Sequence, residues 1–176
     1  MKKLWIILIT GIFFRVFLSF STFHSDTLAF NLGGKFVASG NILNLYDLSS
    51  EKAVFNYPPL IYLFHGMFSL IPFSNYGFVK LPYLIFDLLI VYILLKLFPE
   101  KNPGLLAVSL WMFNPVNLYA TYMMGQFDII PTFFTILSFY LIYKNKLSWA
   151  ALSFSLLSIR VQSCPFDHDF AKRFVL

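Results

Sequence analysis

The chain has 176 residues, 59% of them hydrophobic, 20% aromatic and only 12% charged, with a mean hydropathy of +0.73. That composition excludes an ordinary soluble domain, which has too little polar surface to hide so much apolar side chain, and it points to a bilayer as solvent. The net charge of +5 does not indicate a nucleic-acid partner, because much of the Lys and Arg sits in short clusters beside apolar runs, where it orients helices.

The first apolar run is Leu4–Phe23, behind Met1-Lys2-Lys3. No small-x-small cleavage site follows it and its apolar core is long, so it reads as a retained anchor and not a signal peptide. Later apolar segments are Leu60–Ile71, Leu81–Phe98, Leu105–Met124, Ile129–Tyr143 and Leu147–Ile159. About 20 residues are needed to cross the hydrocarbon. Leu60–Ile71, bounded by Pro59 and Pro72, falls well short of that. The single cysteine, Cys164, leaves no intrachain disulfide to form.

Lysine placement sets the expected topology. With Lys2 and Lys3 in the cytoplasm, Lys96/Lys101 and Lys144/Lys146 also fall inside, provided Leu60–Ile71 dips into the outer leaflet or lies along it. Residues from about His24 to Lys80 then form one long outer loop, and Asp128 lies on the same side. The expected fold class is all-α: a polytopic transmembrane helix bundle of about five crossings, multi-pass in the cell membrane with a cytoplasmic N-terminus. Within the loop, Leu28, Leu32 and Phe36 recur at four-residue spacing and predict a helix along the membrane surface. Gly33-Gly34 weakens that helix and Gly40-Asn41 ends it.

The last stretch, "RVQSCPFDHDFAKRFVL", gathers Arg160, Asp167, Asp169, Lys172 and Arg173 where an apolar helix stops without a turn signal. We read residues 167–176 as an aberrant polar tail, produced by truncation or by a reading-frame change after Phe166. The gene's nucleotide sequence checks this.

Asp26 and Asp128 are the leading candidates for chemistry. Each lies at the outer end of a crossing, Asp26 behind His24-Ser25 and Asp128 at the close of "GQFD", which also holds Gln126. Two carboxylates at a membrane surface can deprotonate a hydroxyl nucleophile or hold a divalent cation. The plainer alternative is that each is a helix N-cap or a solvated helix end. "NYPPL", with Tyr57 and Pro58, either positions a ligand rigidly or is an ordinary turn. Lys80 in "VKLP" either meets a lipid phosphate or snorkels as an anchor. Arg15 and Asp87 fall inside the first and second crossings at comparable depths, which predicts mutual pairing or burial against polar groups. In "FNPVNLYATYMMGQFD", Pro115 must break a backbone hydrogen bond, giving either a polar cavity wall or a packed kink.

The order of these features, "HSD", a surface helix, "YPPL", Lys80 before Leu81-Pro82, then "NPVNLYATYMMGQFDIIP", resembles the GT-C superfamily of integral-membrane glycosyltransferases across roughly residues 5 to 166. The resemblance implies that residues 1–166 are the N-terminal part of a GT-C transmembrane domain, mannosyltransferase-like, lacking further crossings that relatives carry. It implies Asp26 as catalytic base, with Asp128 joining the site, and His24, Tyr57, Pro58, Lys80 and Gln126 as substrate-binding positions. It implies a polyprenyl- or dolichyl-phosphate sugar donor as partner in surrounding membrane lipid, and an acceptor hydroxyl. It fixes no cofactor; a divalent cation held by Asp26 and Asp128 is the one candidate. Tyr57 departs from relatives that carry Lys or His before Pro-Pro. The alternatives are a non-catalytic membrane binding or transport protein, in which Arg15 and Asp87 would matter more than Asp26 and Asp128, or an inert truncated product.

Overall fold

A computed structural model of the chain describes residues 2–41, 59–69 and 76–158. Tyr57, Pro58 and the polar tail lie outside the described residues. All regular structure in the described residues is helical: α1 (Lys2–Ser21), α2 (Ser25–Ala38), α3 (Pro59–Ser69), α4 (Tyr76–Lys80), α5 (Tyr83–Leu97), α6 (Lys101–Met112), α7 (Pro115–Asn117), a π-helical turn (Leu118–Met123), α8 (Ile129–Tyr143) and α9 (Leu147–Ser158).

Two stretches are long and apolar enough to cross a membrane, Lys2–Ser21 and Gly77–Leu97, the second running through the Leu81-Pro82 turn. Along α1 the side chains of Trp5, Ile6, Ile9, Phe13 and Phe17 are all exposed, a continuous apolar face of the kind that lipid or a partner covers. Helix α3 has 11 residues, about 16 Å of helix at about 1.5 Å per residue. That is roughly half of a hydrocarbon core of about 30 Å. Helices α6, α8 and α9 have 12, 15 and 12 residues.

The predicted Leu105–Met124 segment is not one regular helix. It divides at Asn114-Pro115, because proline has no N–H to continue the ladder. Asn114 restarts the helix, its side-chain oxygen accepting from the N–H groups of Val116 (2.9 Å) and Asn117 (3.3 Å), as an N-cap should. The chain then widens into the π-helical turn.

Helix α2 forms where the sequence predicts it. Thr27, Phe30, Asn31, Gly34 and Val37 are buried, while Leu32 of the expected apolar stripe is exposed. Gly33 and Gly34 lie inside the helix and are both buried. A Cβ on Gly34 would lie 2.9 Å from the His65 carbonyl carbon, so this glycine lets α2 and α3 approach closely. The helix ends as predicted at Gly40 (φ +89). Gly40 N–H donates to Val37 O (2.9 Å) and Asn41 N–H to Phe36 O (3.4 Å), the paired bonds of a glycine C-cap.

One core joins α2, α3, α5 and the start of α8 through Phe30, Tyr62, Tyr83, Ile90, Phe127 and Ile129. A smaller cluster of Val91, Val108 and Met112 packs on Leu4, Leu8 and Ile12 of α1. Helices α8 and α9 form a hairpin, with Ser138 Oγ donating to Ala150 O (3.0 Å) and Ser153 Oγ to Phe134 O (2.9 Å).

Candidate functional site

Arg15 and Asp87 form a buried ion pair, Arg15 Nε to Asp87 Oδ2 at 2.7 Å. The pairing expected from their depths is what the structure contains. Asp87 is the centre of a larger network. Its Oδ2 also accepts from the Tyr122 hydroxyl. Its Oδ1 accepts from Trp111 Nε1 (2.7 Å) and Asn117 Nδ2 (3.1 Å). Arg15 Nη1 donates to Met112 O (2.6 Å) and Gly11 O (3.2 Å), and the guanidinium carbon lies 5.3 Å from the Tyr122 ring centroid. Arg15 Nη2 alone has no partner. Four donors on one carboxylate meet the condition under which a buried charge is tolerated. The Pro115 break is therefore a packed kink: the bend after it aims Asn117 and Tyr122 at Asp87.

The second polar cluster ties together the segments that carry the two candidate acids. Lys80 was expected at an interface, either meeting a lipid phosphate or snorkelling. Its side chain is instead fully buried. Its ammonium donates to Thr22 O (2.9 Å), Tyr122 O (3.0 Å) and Met123 O (3.1 Å), and approaches Thr22 Oγ1 (3.2 Å). The physical reason is the end of the π-helical turn: its last carbonyls need donors, and a lysine reaching from α4 supplies them. Here Lys80 fastens backbone to backbone. Thr27 Oγ1 adds a bond to Met124 O (3.1 Å). Gly125 has φ +78, and a Cβ there would collide with Thr27 Oγ1, so glycine is required for this approach.

The consequence is that the "GQFD" turn packs on the first turns of α2. Thr27, next to Asp26, bonds Met124, and the Phe30 ring meets that of Phe127, next to Asp128, edge-on at 5.8 Å between centroids. Asp26 is half-buried in the first turn of α2, where the helix dipole favours a carboxylate. The N-cap is His24, whose Nδ1 accepts from Asp26 N–H at 3.3 Å. The same Nδ1 lies 3.7 Å from Asp26 Oδ1. A nitrogen that accepts an N–H carries no proton, so this approach becomes an ion pair only when the imidazole is protonated. Asp128 is half-buried just before α8. Its carboxylate caps no N–H of that helix, while its carbonyl accepts from Thr132 N–H (3.1 Å) and Thr132 Oγ1 (2.7 Å). Neither acid is thus a side-chain N-cap. Gln126 is half-buried in the turn, with its N–H on Ala120 O (2.9 Å). Among the described residues no three His, Cys, Asp or Glu side chains gather in one place. A cation held by Asp26 and Asp128 would take the rest of its oxygen shell from water or substrate.

Sequence reasoning missed His65, Tyr83, Thr22, Thr27 and Trp111. His65 is buried between α2 and α3, its ring stacked on Phe30 at 5.0 Å. Its Nε2 is 3.0 Å from Tyr83 Oη, which lies 3.4 Å from Gly125 O. If Nε2–H donates to Tyr83 and Tyr83 to Gly125, every donor in the chain of bonds is used. His65 Nδ1 is then an unpartnered lone pair. Burial lowers the His65 pKa from 6.5 to about 3, so the ring is neutral at ordinary pH. The only sequence signal for these residues was the polar content of "TFHSDT" and a single His in an apolar run.

Compared with known proteins, the chain matches no family model, no curated protein and no solved structure.

Proposed function

We propose that the chain is a multi-pass membrane glycosyltransferase of the GT-C type, of about five crossings with the N-terminus in the cytoplasm. It would transfer a sugar from a polyprenyl- or dolichyl-phosphate donor to an acceptor hydroxyl at the outer face. The observation that supports this reading best is the convergence of the two acidic segments, fastened by Thr27 on Met124 and by Phe30 on Phe127. A second support is that Asp26 stands in the first turn of α2 without serving as its N-cap, a place that His24 takes.

In this mechanism Asp26 takes the proton of the acceptor hydroxyl as its oxygen attacks the anomeric carbon. The bond to the lipid phosphate breaks and the phosphate leaves with the electron pair, inverting the anomeric centre. A lipid phosphate is a stable anion, so the leaving side demands little acid assistance. The transition state has oxocarbenium character, which nearby negative groups stabilise. Asp128 orients the acceptor, and His24 holds the Asp26 turn by accepting its N–H. Lys80 acts through structure, keeping the carbonyl ends of Tyr122 and Met123 in place.

The Arg15–Asp87 network fits a scaffold better than a transport path, since both oxygens of Asp87 are already engaged twice. The test is transfer by membranes containing the intact gene product, assayed with lipid-phosphate sugars. Asp26→Asn is expected to lower turnover by about 10²–10⁴-fold, the span of general-base contributions, with membrane insertion unchanged. Full transfer by that variant would remove Asp26 as the base.

A further inference from the structure

At the opposite end of the bundle, the start of α1 and the α5–α6 connection border a half-open cavity of about 690 Å³. That is within the roughly 300–1,000 Å³ of ligand-sized clefts. Its lining is divided by chemistry. Lys2, Lys3 and Lys101 are exposed, while Leu4, Leu95 and Leu105 are half-buried. Glu100 is the one acid in the lining, so three positive groups face one negative group. Among the described residues Arg15–Asp87 is an ion pair and His24 approaches Asp26, and none of the three lysines has an acidic partner within 4 Å. Lys96, by contrast, sits 5.4 Å from the Tyr92 ring centroid. The first turn of α6 opens here too, and its Glu100 side chain forms no capping bond, which adds the positive end of a helix dipole.

Depth is the second observation. The cavity lies where both membrane-length stretches end, at Lys2 of one and at Leu97 of the other. Cations at that depth with apolar side chains beside them match a molecule that is anionic at its head and apolar along its length. We propose that this cavity binds the phosphate headgroup of an anionic glycerophospholipid, held by Lys2, Lys3 and Lys101, with the acyl end along Leu4, Leu95 and Leu105. The site rests on the membrane reading but not on the transferase chemistry.

Alkaline extraction of membranes from expressing cells comes first: the chain is expected in the pellet, and release into the aqueous fraction would overturn the membrane reading. The purified full chain is then titrated in mixed micelles containing phosphatidylglycerol or phosphatidylcholine, with thermal unfolding as readout. Phosphatidylglycerol should raise the unfolding temperature at concentrations where phosphatidylcholine does not. Each lysine is worth roughly fivefold in affinity for an anionic lipid surface. The variant Lys2→Gln/Lys3→Gln/Lys101→Gln should therefore bind on the order of 100-fold more weakly. The control Lys144→Gln/Lys146→Gln, which removes exposed charge away from the cavity lining, should bind like the parent. Equal stabilisation by both lipids would overturn the proposal, as would equal losses in the two variants. Stabilisation by inorganic phosphate alone, matching that by phosphatidylglycerol, would also overturn it, reducing the cavity to a simple anion site.

Discussion

Replacing Asp87 by Asn keeps the shape of the side chain and removes its charge. Arg15 would then be a fully buried guanidinium whose remaining partners are the carbonyls of Gly11 and Met112 and the Tyr122 ring. Removing one member of a buried pair costs about 3–5 kcal/mol, most of it from the charge left behind. Arg15→Met alone strands the carboxylate, though Trp111, Asn117 and Tyr122 still donate to it, so its cost should fall near the lower end of that range. Combining the two changes removes both charges. The introduced amide oxygen can still accept from Trp111 and Asn117. The double variant should therefore cost no more than the worse single change, a coupling of about 3 kcal/mol, at the upper end for residues in contact. Unfolding in mixed micelles with rising SDS, followed by circular dichroism, measures the three variants against the parent. Additivity within about 0.5 kcal/mol would refute the idea that Arg15 and Asp87 neutralise each other.

Lys80→Met keeps the stem and removes the ammonium, so the carbonyls of Thr22, Tyr122 and Met123 lose their charged donor and the last two keep only the Thr22 hydroxyl. It should cost about 1.5–3 kcal/mol, the range for a charged hydrogen-bond donor, in the same unfolding assay; a raised donor KM at unchanged stability would instead mark Lys80 as a phosphate ligand. Gly125→Ala should cost about 1–2 kcal/mol from its positive φ alone, with more from the collision with Thr27 Oγ1, and it should lower transfer by releasing the "GQFD" turn from α2. His65 has a folded pKa lowered to about 3 by burial, below the ordinary 6.5. The unfolded chain therefore takes up a proton before the folded one does. The stability held by the neutral ring is complete above about pH 6.5 and falls with pH toward 3, at about 1.4 kcal/mol per unit. Unfolding midpoints of the parent and of His65→Gln across that window should differ in slope by this amount.

Much of the helix layout is legible in the sequence because apolar run length is a direct readout of burial in lipid or core. Ile129–Tyr143 begins and ends where α8 does, and Pro115 marks the break in Leu105–Met124. Arg15 and Asp87 were readable as a pair because isolated charges in apolar helices have few other ways to be satisfied. Lys80 was not readable. Its acceptors come from Thr22, Tyr122 and Met123, more than 40 positions away in sequence, and a lysine at a helix end looks the same whether it reaches outward or inward. A propensity scale likewise records the entropic cost of Gly33-Gly34 in a helix but not the close contact that Gly34 permits. The stripe Leu28, Leu32, Phe36 gave the helix, while the face packed in the protein is set by Phe30, Gly34 and Val37. Asp26 and Asp128 could be nominated from sequence as two acids at helix boundaries. The Thr27 and Phe30 contacts that bring their segments together leave no mark in the sequence.

The most direct measurement is sugar transfer from a polyprenyl-phosphate donor by matched membranes carrying the parent, Asp26→Asn, Asp128→Asn and the double Arg15→Met/Asp87→Asn variant, each normalised to inserted protein. The account predicts donor-dependent transfer in the parent, a loss of at least about 10²-fold in Asp26→Asn, a smaller loss in Asp128→Asn, and substantial activity in the double variant. Transfer that survives Asp26→Asn but is abolished with the Arg15–Asp87 pair would contradict it.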